Sequence, residues 1–277
     1  MDVIEAVQDQ VLQEFRNSSN SRRIPGPKLK TFAVDLALIA LSVRTAYLVD
    51  AIVPSDPSNT FRRLLHSLRQ KVVLFSEVVL FYEPSSEQSF FVNAPLFLSR
   101  TKGFISTAQS AMDPDSNMQA TFFASLHPCC NYELPADLIV ILRELANGLG
   151  SVEQPEPITT IHLPKLPPHV AVPLAGFLLE YSVALCPNAS GLGVSSHLNQ
   201  VPLDNYECLI NIPGKLHEHV LLKFSCPSSL ALKYPRLSPS SIIHRLKSRF
   251  EDRLKIAIDG STMSIQHNTM TLDRVAL

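Results

Sequence analysis

The segment LPKLPPHVAVPLAGFLLEYSVAL, residues 163–185, combines four prolines with a long apolar run and a short β-prone end. Pro164, Pro167 and Pro168 disfavour helix before this run, and proline fits the first turn of a helix, where no backbone N–H is required. One apolar face follows at spacings of three and four: Val170, Pro173, Leu174, Phe177, Leu178 and Tyr181. We therefore expect a buried helix that leads into a buried strand.

Two features place this segment inside a soluble domain. Gly176, within the helical pattern, indicates close approach of a neighbouring backbone. An apolar span of about 20 residues is long enough for a membrane helix. However, Lys165, His169, Glu180 and the prolines argue against contact with lipid. We therefore expect the segment in the protein core and expect no membrane partner.

The composition favours a large core. The chain has 277 residues, enough for one large domain or two small ones. Hydrophobic residues make up 45% and charged residues 18%, and the mean hydropathy is +0.12. This balance fits buried strands covered by helices.

The charge argues against nucleic acid as a partner. Binding to nucleic acid needs clustered Lys and Arg, whereas the formal net charge is −1. Local basic spots occur at Arg62-Arg63 and at Lys247 with Arg249. Each lies on a helical pattern, so we expect a solvated helix face there rather than a phosphate site.

Cysteine usage indicates the compartment. The five cysteines are odd in number and form no regular disulfide framework: Cys129, Cys130, Cys186, Cys208 and Cys226. The N-terminal MDVIEAVQDQVLQEF is amphipathic and acidic and lacks the pattern of a secretory signal. We expect a reducing compartment, in the cytoplasm or the nucleus.

The chain before the central segment alternates between helix and strand. We predict a helix over 2–16, a flexible linker over 17–28, a buried strand over 31–38, helices over 42–53 and 59–71, β-rich runs over 72–83 and 89–93, a loop over 100–117, a strand over 119–126 and a helix over 135–149. The β-rich runs could pair as a hairpin, or the first could be split at Ser76-Glu77. Ser58 or Asn59 is expected to cap the helix over 59–71.

The chain after the central segment continues this alternation. We predict a loop over 188–200, strands over 206–212 and 217–226, a helix over 240–255 and two extended segments around Asp259-Gly260. Residues 151–157 are the best candidate for an internal boundary. The order favours an α/β fold with a mixed β-sheet flanked by helices. We expect a single large domain over 29–277, preceded by an N-terminal helical appendage and linker over 1–28.

A metal site is the first chemical candidate. His217 and His219 are two apart on a predicted strand, so both imidazoles would point to one face. Cys208 or Cys226 could add a thiolate. Zinc sites normally use closer pairs such as CxxC or HExxH, so a solvent-facing strand edge is favoured over a metal site. No metal and no cofactor are expected.

A cysteine nucleophile is the second candidate. Cys226 lies at a predicted strand end, in FSCP, where a thiol could be exposed. Catalysis would require His217 or His244 within hydrogen-bond reach of that thiol. Since small buried cysteines are common, a structural role is favoured. The vicinal pair Cys129-Cys130 is geometrically poor for a structural disulfide.

Two further features could bind a ligand. Gly191-Leu192-Gly193 with Ser195-Ser196 resembles a phosphate loop but lacks its third glycine and its lysine, so a loop of small residues is favoured. Asp35 lies in the predicted strand over 31–38, and α/β folds often place a ligand group at the carboxyl edge of such a strand. Asp35 could also accept a hydrogen bond from a neighbouring helix N-terminus, which is the favoured interpretation.

Several motifs resemble those of a known eukaryotic family. They are LPxHVAxPLAGFLLEYSVAL within residues 163–185, VPLDNYECLIN over 201–211, LKFSCPSSL over 222–230, TLDRVAL over 271–277 and FAVDLAL over 32–38. The chain resembles the family typified by the human chromosome one open reading frame seventy-four protein, faintly in its first half. It departs from the family pattern at Tyr181-Ser182-Val183, where Tyr-Pro-Val is expected. The resemblance implies an intracellular, single-domain protein and brings no activity or catalytic residues.

Two functions follow as hypotheses. Because no nucleophile and base converge in the sequence, we favour a non-catalytic binding or scaffold protein, with a protein partner possible. The alternative is a small-molecule enzyme whose site collects at strand ends around Asp35, His127, His217 and Cys226. A deep pocket with convergent polar groups would favour the alternative.

Overall fold

The computed structural model describes residues 2–17, 24–109, 121–125, 132, 134–150, 159–187 and 198–273. The chain divides into unit 1, comprising Met1–Thr101 and Leu142–Leu166, and unit 2, comprising Lys102–Ile141 and Pro167–Leu277. Mixed β-sheets flanked by helices confirm the predicted α/β fold. None of the described helices is both long enough and apolar enough to cross a membrane.

The secondary structure has the following bounds. The described helices are α1 Val3–Asn17, α2 Gly26–Ala40, α3 Pro57–Lys71, α4 Ala94–Gln109, α5 Ala136–Gly150, α6 Pro168–Leu178, α7 Leu230–Lys233 and α8 Pro239–Ala257. The described strands are β1 Ala46–Leu48, β2 Val78–Glu83, β3 Gln88–Asn93, β4 Phe122–Ser125, β5 Thr160–His162, β6 Val183–Cys186, β7 Pro202–Ile212, β8 Leu216–Pro227 and β9 Thr262–Thr271. The predicted boundary over 151–157 lies outside the described residues.

Unit 1 contains a four-stranded sheet in the order β1-β3-β2-β5. β2 and β3 form the predicted hairpin, with Phe81 opposite Phe90, and β5 joins β2 in parallel. The N-terminal helix α1 packs against α2 and α3. Ring centroids between 5.8 and 6.2 Å apart tie these helices to β3 through Phe15, Phe32, Phe61 and Phe91.

The strand predicted over 31–38 is wrong, because these residues form the middle of α2. All residues from 32 to 40 are buried. A segment that is apolar on every side shows neither helical nor strand periodicity, so its sequence pattern does not separate the two. Proline sets the helix start instead, since Pro25 precedes the first turn and Pro27 lies within it.

The helix predicted over 42–53 is also wrong, because Ser42 ends α2. Ser42 adopts a left-handed φ of 58°. Its N–H donates to the Ile39 carbonyl, and the Val43 N–H donates to the Leu38 carbonyl. This pair of bonds is the Schellman motif, which satisfies the last carbonyls of a helix. The chain then enters β1.

Helix α3 begins slightly earlier than predicted. Its cap is Asp56, whose carboxylate accepts the Asn59 N–H at 3.1 Å, rather than Ser58 or Asn59. Pro57 supplies the first helical residue. The predicted helix is confirmed, with an earlier start and a different cap.

Two other segments of the first half depart from the prediction. The first β-rich run is split as the alternative proposed, since a 3-10 turn over Val73–Glu77 precedes β2. Residues 100–109, predicted as loop, belong to α4. Asn93 starts this helix by accepting the Leu96 N–H at 3.0 Å.

Unit 2 contains the predicted helix and strand of the central segment, α6 and β6. β6 pairs in parallel with β4, with Phe122 opposite Val183. A Cβ atom at Gly176 would lie 2.6 Å from the Cβ of Ala184, which confirms the predicted close approach. The turn from α6 into β6 passes through Glu180, whose φ is 63°.

The second sheet of unit 2 is antiparallel, in the order β8-β7-β9. β7 and β8 form the predicted hairpin, in which Gly214 has a φ of 72°. Residues 262–271 form one strand rather than two extended segments. α8 confirms the predicted helix and buries Ile242, Leu246, Phe250 and Leu254.

Candidate functional site

Helix α8 carries arginines at four-residue intervals, Arg245, Arg249 and Arg253, and each is half-buried. They adjoin the buried apolar stripe of the same helix, and α8 packs against β9. Arg245 lies close enough to Tyr206 of β7 and Cys226 of β8 for electrostatic interaction. The inner side of α8 therefore brings several positive charges toward the sheet of unit 2.

Arg253 has a defined acidic partner. Its Nη1 donates to both carboxylate oxygens of Glu180, at 2.9 and 3.0 Å, and the Glu180 side chain is 1% exposed. The Arg249 Nη1 donates to the backbone carbonyl of Glu180 at 2.9 Å. Cations at this point also satisfy the carboxyl end of α6, where helix carbonyls carry partial negative charge. Glu180 is thus already neutralised by Arg253.

Arg245 is in a different position. Its Nε and one Nη are enclosed and make no hydrogen bond within the described part of the chain. Burial, with a smaller contribution from the charges of Arg249 and Arg236, lowers the pKa of Arg245 to about 10. Leaving buried donors unsatisfied costs about 1–3 kcal/mol. Arg245 is therefore an energetically unfavourable cation.

Tyr206 presents a second polar atom of this kind. Its side chain is 0% exposed, and its ring lies between Phe224 at 5.1 Å and His267 at 4.9 Å. Among the described residues its hydroxyl has no hydrogen-bond partner. Burial raises the pKa of Tyr206, and the charges of Cys226 and Asp204 add to this effect. The hydroxyl stays protonated and is a donor.

Arg236 lies in the 3-10 turn Pro235–Leu237, just before α8. Its guanidinium carbon lies 4.9 Å from the centroid of the Phe122 ring, a cation–π geometry. Phe122 also contacts Tyr132 at 5.3 Å and Tyr234 at 4.8 Å. This aromatic packing holds Arg236 against Phe122, and its charge acts on Arg245.

We call Tyr206, Arg236, Arg245 and Arg249 the arginine–tyrosine cluster. Its four side chains all donate hydrogen bonds, and three carry positive charge. Asp204, the acid next to Tyr206 on β7, already accepts from the Thr269 hydroxyl at 2.8 Å and contacts His267 at 3.2 Å. The cluster therefore suits an anion with several acceptor oxygens.

Asp35, a candidate ligand group, lies in unit 1 within α2 and not at a strand end. It is 4% exposed, and Arg44 Nη1 donates to its Oδ1 at 3.1 Å. Arg44 also lies over the Tyr47 ring at 5.6 Å. Burial and the Asp35 charge raise the pKa of Tyr47. Asp35 thus belongs to a buried ion pair with Arg44, and its predicted contact with a helix N-terminus stays a prediction.

The two candidate metal ligands have different surroundings. The His217 side chain is 87% exposed, whereas His219 is 9% exposed. Glu218 between them has a left-handed φ of 50°, and the register shifts nearby, so the strand alternation behind the predicted shared face is broken. Among the described residues, no group of three His, Cys, Asp or Glu side chains is suited to holding a metal ion.

The candidate nucleophile Cys226 is buried at the end of β8, where it is 2% exposed and opposite Asp204. His217 lies nine residues earlier on this strand, which corresponds to about 30 Å of extended chain. The structure does not bring these two together. His127, Cys129, Cys130 and the loop of small residues over 191–196 lie outside the described residues, so the enzyme hypothesis stays a prediction.

Sequence reasoning missed the arginine–tyrosine cluster. Lys247 and Arg249 were both expected on a solvated face, but only Lys247 is exposed and Arg249 is half-buried. The sequence feature that indicates the cluster is the spacing of Arg245, Arg249 and Arg253. These arginines recur at the same four-residue interval as the buried apolar residues of α8. Tyr206 gave no separate signal, because an aromatic residue on a strand is ordinarily core.

Comparison with models of protein families, with curated proteins and with solved structures finds no match for this chain. The resemblance to the eukaryotic family described above therefore stays a prediction.

Proposed function

We propose that this protein is a non-catalytic binding protein and that the arginine–tyrosine cluster of unit 2 holds an anionic group of its ligand. The observation that carries the proposal is the pairing of two buried, unsatisfied donors, the Tyr206 hydroxyl and the Arg245 guanidinium. Arg236 and Arg249 add charge beside them. An anion placed among these groups accepts their hydrogen bonds and offsets their mutual repulsion.

The chemistry of the side chains supports binding. A guanidinium donates through a planar fork that suits oxyanions and stays charged at neutral pH. Charge-assisted hydrogen bonds of this kind are about twice as strong as neutral ones. The half-buried arginines remain in contact with solvent, so a ligand can approach them. The enclosed Tyr206 hydroxyl adds a neutral donor to these charged ones.

The test is thermal unfolding during titration with sodium sulfate, for the unaltered protein, Arg245→Gln and Lys247→Gln. Lys247→Gln removes an equal charge from the exposed side of the same helix and is the matched control. Specific binding stabilises by about 2.7 kcal/mol at a concentration about 100 times Kd, and the gain saturates. General salt stabilisation does not saturate and affects all three proteins.

We expect a saturable gain in the unaltered protein and in Lys247→Gln, and only the general salt effect in Arg245→Gln. The proposal fails if all three proteins respond alike. It also fails if Arg245→Gln retains the saturable gain.

We also propose a cytoplasmic or nuclear location. The odd number of cysteines and the lack of a regular disulfide framework in the sequence support it, since disulfides are rare in reducing compartments. Fluorescence microscopy of the tagged full chain tests this proposal. Signal in secretory compartments would contradict it.

A further inference from the structure

Strand β9 forms one edge of the antiparallel sheet of unit 2, and among the described residues its outer side has no strand partner. It runs over Thr262–Thr271, and none of its ten residues is buried. In an antiparallel pair, every second residue directs both its N–H and its C=O away from the partner strand. The outer side of β9 therefore presents a row of accessible backbone donors and acceptors.

This edge lacks the features that usually prevent pairing with another chain. Natural edge strands are often short, or they carry proline, lysine or a bulge. The sequence of β9, TMSIQHNTMT, contains no proline and no Lys, Arg, Asp or Glu. Its pairing with β7 continues without a register shift from Pro202 opposite Thr271 to Asn211 opposite Thr262. β9 is therefore a long, regular and unprotected edge.

The other sheet edges in the described part of the chain are protected. β8, at the opposite edge of the same sheet, carries Lys223, and its register with β7 shifts twice. Glu218 of β8 also has a left-handed φ of 50°. β1 and β5, the two edges of the sheet in unit 1, have three residues each. β4 and β6 have four residues each. The contrast singles out β9 as the strand suited to pairing with another chain.

We infer that β9 pairs with β9 of a second copy of this chain, so that two unit 2 sheets join edge to edge. A closed dimer has two-fold symmetry, so the two β9 strands run antiparallel. Like charges opposite each other in such a pair are destabilising. Because β9 contains no Lys, Arg, Asp or Glu, pairing with its own copy creates no such repulsion. This association goes beyond anion binding and does not depend on it.

Apolar side chains that adjoin β9 in the chain agree with this pairing. Ile256, near the end of α8, is 88% exposed, and Leu272, directly after β9, is 40% exposed. Antiparallel pairing places the end of β9 in one copy beside the start of β9 in the other. Leu272 then lies toward the turn between α8 and β9 of the second copy, where its apolar surface can be covered.

The experiment is sedimentation velocity of the full chain over a range of protein concentrations. The test variant carries Ser264→Lys and Asn268→Lys together, at two exposed positions on the same side of β9. In an antiparallel pair centred near Gln266, the new lysines of the two copies lie opposite or diagonal to each other. The matched control carries Gln70→Lys and Ser248→Lys, which add the same charge at exposed positions of α3 and α8.

We expect the unaltered protein and the control to form dimers with the same Kd, and the test variant to dimerise at least about tenfold more weakly. Circular dichroism checks that both variants keep their secondary structure. An unaltered protein that is monomeric at every concentration would overturn the inference. A test variant that dimerises as tightly as the control, or an assembly larger than a dimer, would overturn it as well.

Hydrogen exchange of the unaltered protein locates the contact without any substitution. The outward N–H groups of β9 are open to solvent in the monomer and hydrogen-bonded in the dimer, so pairing should slow their exchange. We expect exchange in β9 to slow as the protein concentration rises, while exchange in β8 at the opposite edge does not change. Exchange in β9 that is independent of concentration would overturn the inference.

Discussion

Replacing Arg245 with methionine should stabilise the protein in the absence of ligand. Arg245 is half-buried, and two of its donors are enclosed without a hydrogen bond among the described residues. Methionine keeps an unbranched side chain of similar length but carries no charge. Replacing buried charges with apolar residues of similar volume is often stabilising by about 1–4 kcal/mol. A charged residue whose role is to bind a ligand is expected to lower the stability of the protein without that ligand.

The magnitude follows from the pKa. The fall in the pKa of Arg245 from its ordinary value to about 10 corresponds to about 3 kcal/mol of unfavourable free energy in the folded state. Partial contact with solvent screens the charge and reduces this figure. We expect Arg245→Met to gain about 1–3 kcal/mol, with a rise in Tm of about 2–4 °C for each kcal/mol.

The pH dependence has a definite sign. The pKa of Arg245 is lower in the folded than in the unfolded protein, so the unfolded state binds more protons above about pH 10. Stability from this group therefore rises with pH in that range. Tyr206 and Tyr47 have raised pKa values and act in the opposite direction in both proteins. The advantage of Arg245→Met should shrink as the pH rises above about 10.

The assay is urea denaturation at neutral and alkaline pH, with the midpoint compared at constant slope. Lys247→Met is the control, because Lys247 is exposed and its replacement should change stability by less than about 0.5 kcal/mol. The reasoning is refuted if Arg245→Met is clearly less stable than the unaltered protein at neutral pH. That result would mean that Arg245 makes a stabilising interaction in the folded state.

Three further substitutions, with Gly148→Ala as the control for the first, test the packing of each unit by urea denaturation. Gly176→Ala should cost about 1–3 kcal/mol, because the new Cβ would lie 2.6 Å from the Cβ of Ala184. The control is Gly148→Ala on α5, where a new Cβ would have no atom within 4 Å, so this change should be neutral or gain up to about 1 kcal/mol. Equal changes in stability for Gly176→Ala and Gly148→Ala would contradict the close packing at Gly176. Glu180→Gln should cost about 3 kcal/mol by leaving Arg253 without its carboxylate, and full stability would contradict the ion pair. Asp35→Asn should cost a similar amount in unit 1 without changing the affinity for sulfate; reduced sulfate affinity would show that Asp35 also affects binding.

The sequence predicted elements well where periodicity and punctuation agree. α6 and β6 follow from the prolines and the three-and-four spacing, and the β7–β8 hairpin follows from Pro213-Gly214. α2 failed because residues 32–40 are buried on all sides, so no amphipathic pattern exists to distinguish helix from strand.

Helix ends exposed a second limit. Ser42 and Glu180 both end helices in left-handed conformations, where glycine or asparagine is usual. The carboxylate of Glu180 binds Arg253, a contact between residues 73 positions apart. No local sequence pattern predicts such a pair. The arginine–tyrosine cluster likewise joins residues far apart in the sequence, Tyr206 of β7 and Arg245 of α8, which interact electrostatically.

The most direct test of anion binding by the arginine–tyrosine cluster is the Nε–H resonance of Arg245 in an NMR titration with inorganic phosphate. Its assignment comes from the signal that disappears in Arg245→Gln. We predict a saturable shift of this resonance while that of the exposed Arg62 on α3 stays in place. An Arg245 resonance that does not move, or that moves only in parallel with Arg62, would contradict the account.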